Sequence, residues 1–292
     1  MKRLPTFIFA ISMIVTAGLI PALQAGGQTP PPLAAQVIKP GLYWVEGGAG
    51  ANTGFWIGKD AVVVIDAKMT PDAAREMLAK IKELTPNPVQ SIVLTHSDGD
   101  HVNGLTGFPQ GLKIVSQETC KTELEAAFTD PALRAYLPTV TFKDRMDLLL
   151  PGGSIRLLHF GSAHTSGDAI VLFPAEKVAF IGDLAFIGRD PLIHKSKGGT
   201  SFGLTATLKS ILALEADTFI PGHGKPLAKS DIEGLLKSVE DKQAQVKDMV
   251  ARGKSLDEVK KAFGIEEETA QPGRRRWPSL VEVIYLDLTE KK

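Results

Sequence analysis

The sequence predicts an α/β fold, a four-layer αββα sandwich in which two mixed sheets pack face to face with helices outside. Two observations predict it. Strand-like and helix-like segments alternate along the chain in two similar halves, which meet near residues 147–153. The run at residues 62–65 is wholly β-branched, which is typical of a strand covered on both faces. A chain of 292 residues with 43% hydrophobic residues can bury such a core.

In the first half, the clearest helix signal lies between two groups of strands. Thr70 is suited to cap a helix and Pro71 to its first turn, and apolar side chains from Ala74 to Ile81 recur on one face. The residues Gly58-Lys59-Asp60 indicate a hairpin between two strands. The predicted strands are 41–46, 55–58, 61–66, 90–95 and 113–116, and the predicted helices are 71–84 and 118–128.

The second half repeats the alternation of short apolar runs with longer amphipathic segments. The predicted strands are 154–160, 169–173, 178–181 and 218–220, and the predicted helices are 205–214, 231–251, 255–263 and 279–286. We therefore expect a single domain over residues 41–292, with helices at its C-terminal end.

The N-terminus has the layout of a secretory signal peptide. A cationic start, an apolar run at residues 7–20 and a proline with small residues at 21–25 predict cleavage after Ala25. The apolar run is shorter than the roughly 20 residues that span a bilayer. We therefore expect residues 1–25 to be removed, residues 26–40 to be a flexible lead-in, and the mature chain to be periplasmic or secreted, without a membrane anchor.

Charge and cysteine content narrow the function classes. The 33 basic and 33 acidic residues cancel, so nothing favours nucleic acid as a partner, and a small-molecule substrate is expected. Cys120 is the one cysteine, which excludes an intrachain disulfide. It has no histidine near it in sequence, so we interpret it as structural. The sequence leaves the oligomeric state open.

A dense polar string follows the buried strand predicted at residues 90–95. His96, Asp98, Asp100 and His101 place four ligand-type side chains within six residues. Loops at strand ends are where α/β folds build their sites. Carboxylates and imidazoles crowded together shift each other's pKa values, and a divalent cation relieves that conflict. The string therefore predicts a metal site.

Three further ligand-type residues each lie at or near the end of a predicted strand. His164 lies in Gly-Ser-Ala-His-Thr-Ser-Gly-Asp, Asp183 in Phe-Ile-Gly-Asp-Leu, and His223 in Ile-Pro-Gly-His-Gly. Small residues flank each of them, which lets the backbone approach an ion closely.

In this order, the segments resemble the metallo-β-lactamase superfamily, whose signature is His-x-His-x-Asp-His followed by a histidine, a bridging aspartate and a last histidine. The resemblance covers residues 41–227 and implies that superfamily's αββα fold. It also implies two metal sites with a bridging carboxylate: His96, Asp98 and His164 for the first, Asp100, His101 and His223 for the second, and Asp183 between them.

Asp98 departs from the signature, which has histidine there. A carboxylate oxygen takes almost the place of the imidazole Nδ1 atom, so we expect Asp98 to remain a ligand; the alternative is a solvated carboxylate beside a single-metal site. The added negative charge favours a harder ion such as Mn or Fe somewhat more than three histidines would. Flavodiiron proteins, which are similar in fold, carry Glu there and hold iron. Zinc is the default expectation.

The resemblance implies hydrolysis by a metal-bound hydroxide, with Asp100 binding metal, orienting the nucleophile and carrying a proton. Ester, lactone, thioester, phosphoester and β-lactam bonds are the candidate substrates, and Asp183 argues against the last because the β-lactamases of the superfamily lack the bridging aspartate. Two alternatives stay open. One is a di-iron or mono-iron oxidoreductase of the same fold, and the other is a catalytically weak metal-binding protein.

Other polar residues are expected to support the centre. Asp66, at the end of a strand, is a candidate to anchor a ligand imidazole, with a turn carboxylate as the equal alternative. Thr165 and Asp168 are expected to hold the loop around His164. His194, Lys195 and Lys197, in a basic loop after Asp183, are candidates to receive an anionic group of the substrate; the alternative is a solvated loop.

Overall fold

The computed structural model describes residues 30–265 and 277–290, and these form two sheets with helices on their outer faces. The predicted signal peptide lies outside the described residues. The first sheet has seven strands in sequential order: β1 (Ala34–Lys39), β2 (Leu42–Glu46), β3 (Thr53–Ile57), β4 (Val62–Ile65), β5 (Val89–Val93), β6 (Lys113–Gln117) and β7 (Val140–Phe142). The second has the order β12-β11-β10-β9-β8: β8 (Arg145–Leu150), β9 (Gly153–Leu158), β10 (Ile170–Phe173), β11 (Val178–Gly182) and β12 (Thr218–Pro221).

The α-helices divide between the two outer faces. They are α1 (Pro71–Leu84), α2 (Gly99–Val102), α3 (Glu118–Ala127), α4 (Pro131–Arg134), α5 (Ser201–Leu212), α6 (Lys229–Ala251), α7 (Leu256–Ala262) and α8 (Leu280–Thr289). Helix α1 begins as its sequence predicts, with the Thr70 side chain accepting a hydrogen bond from the Ala73 amide. Two short 3₁₀ helices occupy Asn103–Gly107 and Lys195–Lys197.

Three apolar clusters confirm the four-layer order. Strand β4 is buried along its whole length and contributes to two of them. Val62 and Val64 face the helices, whereas Val63 and Ile65 face the second sheet. Each such buried side chain contributes about 1.5–3 kcal/mol relative to exposure. A third cluster packs the second sheet against α5, α6 and α8.

Parallel pairing places the chemistry at one edge of the sandwich. Strands β4, β5, β6 and β7 run parallel in the first sheet, as do β11 and β12 in the second. Because the carboxyl ends of parallel strands meet at the same edge, the loops that follow β4, β5, β11 and β12 converge there.

Two predictions about boundaries were wrong. The expected lead-in at residues 26–40 contains β1, which pairs antiparallel with β2. The expected divide at residues 147–153 contains most of β8, and the chain passes between sheets at residues 143–144 instead. In β8, Met146 and Leu148 pack between the sheets while Arg145, Asp147 and Leu149 are exposed. That alternation is typical of a half-buried edge strand.

No helix within the described residues is long and apolar enough to cross a membrane.

Candidate metal centre

The seven predicted ligands lie together at the edge where the strand ends converge. Four of them follow β5, one comes directly after β11, one follows β12, and one lies in the loop between β9 and β10. In that order they are His96, Asp98, Asp100, His101, Asp183, His223 and His164. The structure therefore brings together every residue that the sequence singled out as a metal ligand.

The first candidate group comprises His96, Asp98 and His164, all buried. Asp98 Oδ2 lies 3.7 Å from His96 Nε2 and 3.1 Å from His164 Nε2. The potential ligand atoms of the three residues are all within 4.8 Å of one another, so a single ion could contact all of them. The Asp98 carboxylate thus lies beside both imidazoles of the group that the sequence predicted for it.

The second candidate group comprises Asp100, His101 and His223 and is more open. Asp100 Oδ2 lies 3.1 Å from His223 Nε2 and 3.9 Å from His101 Nε2. His101 is fully buried, whereas the side chains of His223 and Asp100 retain 38% and 29% of their exposure. This group therefore faces the side from which a substrate can enter.

Asp183 lies between the two groups. Its Oδ1 atom is 3.2 Å from His101 Nε2, and its Oδ2 atom is 3.4 Å from His223 Nε2 and 4.0 Å from His164 Nε2. Gly222 permits this approach, because a Cβ atom there would stand 2.0 Å from Asp183 Oδ1. The position is that of a carboxylate able to bridge two ions.

Asp66 anchors the imidazole of His101, which is the first of the two roles considered for it from the sequence. It adopts a left-handed backbone conformation at the end of β4, with φ of 59°. Its Oδ2 atom lies 2.8 Å from His101 Nδ1 and accepts from Thr95 Oγ1 at 2.7 Å, while Oδ1 accepts from the Thr95 amide at 2.8 Å. A proton on His101 Nδ1 then donates to Asp66, which leaves Nε2 free to bind an ion.

The His164 loop is held as predicted. The Thr165 amide and hydroxyl both donate to the Asp168 carboxylate. His164 Nδ1 lies 2.7 Å from the carbonyl oxygen of Leu192, which fixes the ring so that Nε2 points into the centre. His159 Nδ1 lies 2.7 Å from the Asp168 carbonyl oxygen, so this histidine also supports the loop.

Unpartnered atoms show that the cluster suits cations. Among the described residues, His96 Nε2, His101 Nε2 and Asp183 Oδ1 are buried without a hydrogen-bond partner of suitable geometry. Such atoms are costly unless something binds them. The potential ligand atoms of these three residues also lie within 4.8 Å of one another, across the two candidate groups, so divalent ions fit the donor set.

The electrostatics lead to the same conclusion. Burial by itself lowers the pKa of His164, but its hydrogen bond to Asp98 and the charge of Asp183 outweigh burial and raise it to about 9. Hydrogen bonds to Asp100 and Asp183 raise the pKa of His223 to about 9. Burial opposes ionisation of Asp183, yet the charge of His101 holds its pKa well below the usual range. The carboxylates of Asp98, Asp100 and Asp183 are therefore stable here only beside positive charge, which protons on the histidines or metal ions can supply.

Two of the three residues predicted in the basic loop after Asp183 reach the centre. His194 does reach the centre, since its Nε2 atom lies 2.8 Å from Asp98 Oδ2. Lys195 does not, because its Nζ atom pairs with Asp287 at 2.8 Å and with Glu290 at 3.2 Å on and beside α8. Lys197 does reach it, since its Nζ atom lies 2.6 Å from Asp98 Oδ1. The expectation for Lys195 was therefore wrong.

A cleft of about 460 Å³ opens over the centre. Its walls combine apolar and aromatic side chains with one exposed cation: Met69, Phe186, Leu192, Trp277 and Arg189. The Arg189 guanidinium stacks 4.3 Å over the Phe186 ring, and no acidic partner for it appears within the described residues. Neither Arg189 nor Trp277 stood out in the sequence as a wall of this cleft.

The glycine-rich turn at residues 47–52 ties the ligand loops together. The Asn52 side chain donates to the carbonyl oxygens of Pro221 and Gly224, on either side of His223. Lys68, which is fully buried, donates to the carbonyl oxygens of Gly47 and Ala51 at 2.8 Å each. Burial lowers the pKa of Lys68 to about 8. The sequence carried no signal for this lysine beyond its position after the β4 strand.

The fold and this arrangement identify the class of protein. The family model of the metallo-β-lactamase superfamily matches residues 47–223, more than half of the chain, which therefore belongs to that superfamily.

Curated relatives share part of the chain. It is 24% identical over 241 residues to a linear primary-alkylsulfatase of Pseudomonas sp. (strain ATCC 19151), covering 66% of this chain and 45% of the relative. It is 25% identical over 203 residues to the 2,4-dinitroanisole O-demethylase subunit alpha of Nocardioides sp. (strain JS1661), covering 68% and 60%. Hydroxyacylglutathione hydrolase GloC of Haemophilus influenzae is 30% identical over 162 residues, covering 52% and 76%. The chain thus spans about half the length of the first two relatives.

Solved structures show the same fold. The sec-alkylsulfatase Pisa1 from Pseudomonas sp. superimposes with a TM-score of 0.72 at 16% identity, over 88% of this chain and 50% of the other. A metallo-β-lactamase from Pontibacter korlensis gives a TM-score of 0.61 at 21% identity, over 70% and 99%. At these identities the likeness concerns architecture.

Proposed function

We propose that this chain is a hydrolase that holds two divalent metal ions, with zinc as the default, and cleaves an ester-type bond in a small molecule. The observation that carries the proposal is the position of Asp183. Its two oxygens face histidines of both candidate groups, at 3.2 Å from His101 Nε2 and 3.4 Å from His223 Nε2. A carboxylate so placed favours two ions over one.

When bound, the ions would act as Lewis acids that polarise the substrate oxygen and lower the pKa of water to about 7. The side chains of the protein position the water, the ligands and the substrate. Asp100 is half-buried at the base of the cleft, where its carboxylate can orient a water and take its proton. The Asp66–His101 and Leu192–His164 contacts hold the imidazoles in one orientation. Phe186 and Trp277 wall the cleft and restrict bulk water.

Ester, lactone, thioester and phosphoester bonds are the favoured substrate class. Asp183 supports this choice over β-lactams, because the resemblance implies that β-lactamases lack the bridging carboxylate. Two relatives bear the names alkylsulfatase and hydroxyacylglutathione hydrolase, and both concern ester-like bonds. The apolar walls suit a substrate with an apolar group near the scissile bond. Arg189 can receive an anionic group at the rim.

We propose an extracytoplasmic location, which rests on the signal-peptide pattern of residues 1–25. Fractionation of cells producing the full chain, followed by N-terminal sequencing, tests it. A periplasmic or secreted protein that begins at Gly26 supports the proposal, whereas a cytoplasmic protein that begins at Met1 contradicts it.

The activity test compares the metal-stripped and reconstituted protein on a panel of carboxylic esters, lactones, thioesters, phosphodiesters, alkyl sulfates and β-lactams. We expect turnover of at least one ester-type substrate that chelation removes and added zinc, manganese or iron restores. Asp100→Asn should lower kcat on the order of 10²–10⁴-fold through loss of the base. The matched control is Asp60→Asn, on the exposed hairpin turn, which should leave kcat unchanged.

The other outcomes separate the alternatives. Activity that survives complete chelation contradicts the proposal. Bound iron with oxygen consumption, in place of hydrolysis, supports the oxidoreductase alternative. Tight metal binding without turnover on any class supports the weak metal-binding alternative.

A further inference from the structure

The two candidate metal groups each contain a carboxylate, but only one of these carboxylates pairs with a fixed cation. Lys197 Nζ lies 2.6 Å from Asp98 Oδ1. Among the described residues, the ion-pair contacts of Asp100 are with His101 and His223 alone. The first group therefore differs from the second by one permanent positive charge.

A network of buried and half-buried side chains holds Lys197 in this place. Its Nζ atom also donates to Ser97 Oγ at 2.8 Å. Ser97 in turn donates to Glu123 on α3, and the other oxygen of Glu123 accepts from Ser166 Oγ at 2.9 Å. The backbone contributes too, since the Ser166 amide donates to the Lys197 carbonyl oxygen at 2.8 Å. The ammonium group is thus fixed by the fold from several sides.

The two oxygens of the Asp98 carboxylate have different partners. Oδ1 faces Lys197, and Oδ2 faces the imidazoles of His164 at 3.1 Å, His194 at 2.8 Å and His96 at 3.7 Å. With Oδ1 held by the ammonium, Oδ2 is the oxygen aimed at an ion. Partners that hold a ligand in this way set its orientation and the affinity of the site.

We propose that Lys197 is a positioning residue that makes Asp98 equivalent to an uncharged ligand. The ammonium cancels the charge of the carboxylate, so the first group presents two imidazoles and a net-neutral pair to the ion. This inference rests on the proposed function, since it concerns the first of the two metal ions. It assigns the Lys197–Asp98 contact a role in metal affinity, separate from any contact with substrate.

The pairing has a consequence that a merely structural lysine would not have. Asp98→His removes the carboxylate but leaves the ammonium beside the ion, where the two positive charges repel each other at close range. Removing the lysine as well returns the site to an uncharged ligand set. The second substitution should therefore repair the first.

The test is a double-mutant cycle on metal affinity. Zinc is titrated into the metal-free full-length mature chain against a fluorescent chelator, for wild type, Asp98→His, Lys197→Met and the double variant. We expect Asp98→His to weaken the first site at least tenfold, and Asp98→His/Lys197→Met to bind within threefold of wild type. The second site, which shares none of these residues, reports that each variant is folded.

Lys195→Met in the Asp98→His background is the matched control. It removes the same charge two residues away, from a side chain paired with Asp287, and should not restore binding. If Asp98→His binds as tightly as wild type, or if Lys197→Met fails to improve it, the inference is overturned. A wild-type chain that binds fewer than two ions contradicts the proposed function itself, so the two failures are distinguishable.

Discussion

Replacing Asp66 with asparagine tests whether the second candidate group depends on an imidazole held from behind. The Asp66 carboxylate accepts from the Thr95 amide and hydroxyl and lies 2.8 Å from His101 Nδ1. In Asp66→Asn, one oxygen can still accept from the Thr95 amide. The new amide nitrogen then faces His101 Nδ1, so two donors meet and the His101 proton is driven to Nε2, the atom that faces the centre.

The size of the effect follows from these contacts. Loss of an outer partner of a metal ligand costs about 10–100-fold in metal affinity, which is about 1.4–2.7 kcal/mol. Asp66→Ala is harsher for the fold, because it leaves three buried donors of Thr95 and His101 without an acceptor. At about 1–3 kcal/mol for each, the free energy of unfolding should fall by roughly 3 kcal/mol or more.

The assay combines zinc titration against a chelator with thermal unfolding of the metal-free protein. Asp66→Asn should weaken the site that contains His101 and leave the His96 site close to wild type. Asp60→Asn, on the exposed hairpin turn, is the control and should change neither quantity. If Asp66→Asn binds zinc at each site as tightly as the wild type does, the proposed role of Asp66 is refuted.

Three further predictions follow from the same geometry. Gly222→Ala should abolish metal binding, because the new Cβ atom would stand 2.0 Å from Asp183 Oδ1. The control is Gly234→Ala in α6, where the new Cβ atom meets nothing within 4 Å. It should raise the free energy of unfolding by about 0.5–1 kcal/mol, measured by thermal unfolding. At pH 7, metal binding should release about three protons, since the pKa values of His164 and His223 are raised to about 9 in the metal-free protein and Asp183 and Asp66 raise that of His101 as well. The apparent affinity should then rise with pH up to about 9, and calorimetry in buffers of different ionisation enthalpy that shows no proton release would contradict this. Lys195→Met should leave kcat and KM unchanged on whichever substrate is found and lower the free energy of unfolding by about 1 kcal/mol or less, because its partners lie on α8.

Much of the fold was predictable because its strands carry strong signals. Strand β4 is apolar throughout since both of its faces are covered, and helix α1 has its cap and its apolar face in the sequence. Strands β1 and β8 were missed because each lies at the edge of its sheet and has no fully buried residue. Residues in β8 alternate between exposed and partly buried, those in β1 follow no regular pattern, and neither strand is a continuous apolar run.

The candidate metal ligands could be recognised because short segments carry them, whereas their partners come from distant parts of the chain. Lys195 and Lys197 show why such partners could not be chosen from the sequence. They belong to one turn of 3₁₀ helix, in which residues two apart point in different directions, so only one of them can face the centre. Trp277 and Arg189 enter the cleft from separate segments, and no local pattern marks either of them.

Elemental mass spectrometry of the mature protein, after reconstitution and removal of free metal, counts the ions that the chain binds. We expect about two ions per chain in the wild type, and about one in a variant that lacks the ligands of one group, such as His96→Ala/His164→Ala. One ion or none in the folded wild type would contradict the assignment of these residues to a two-metal centre.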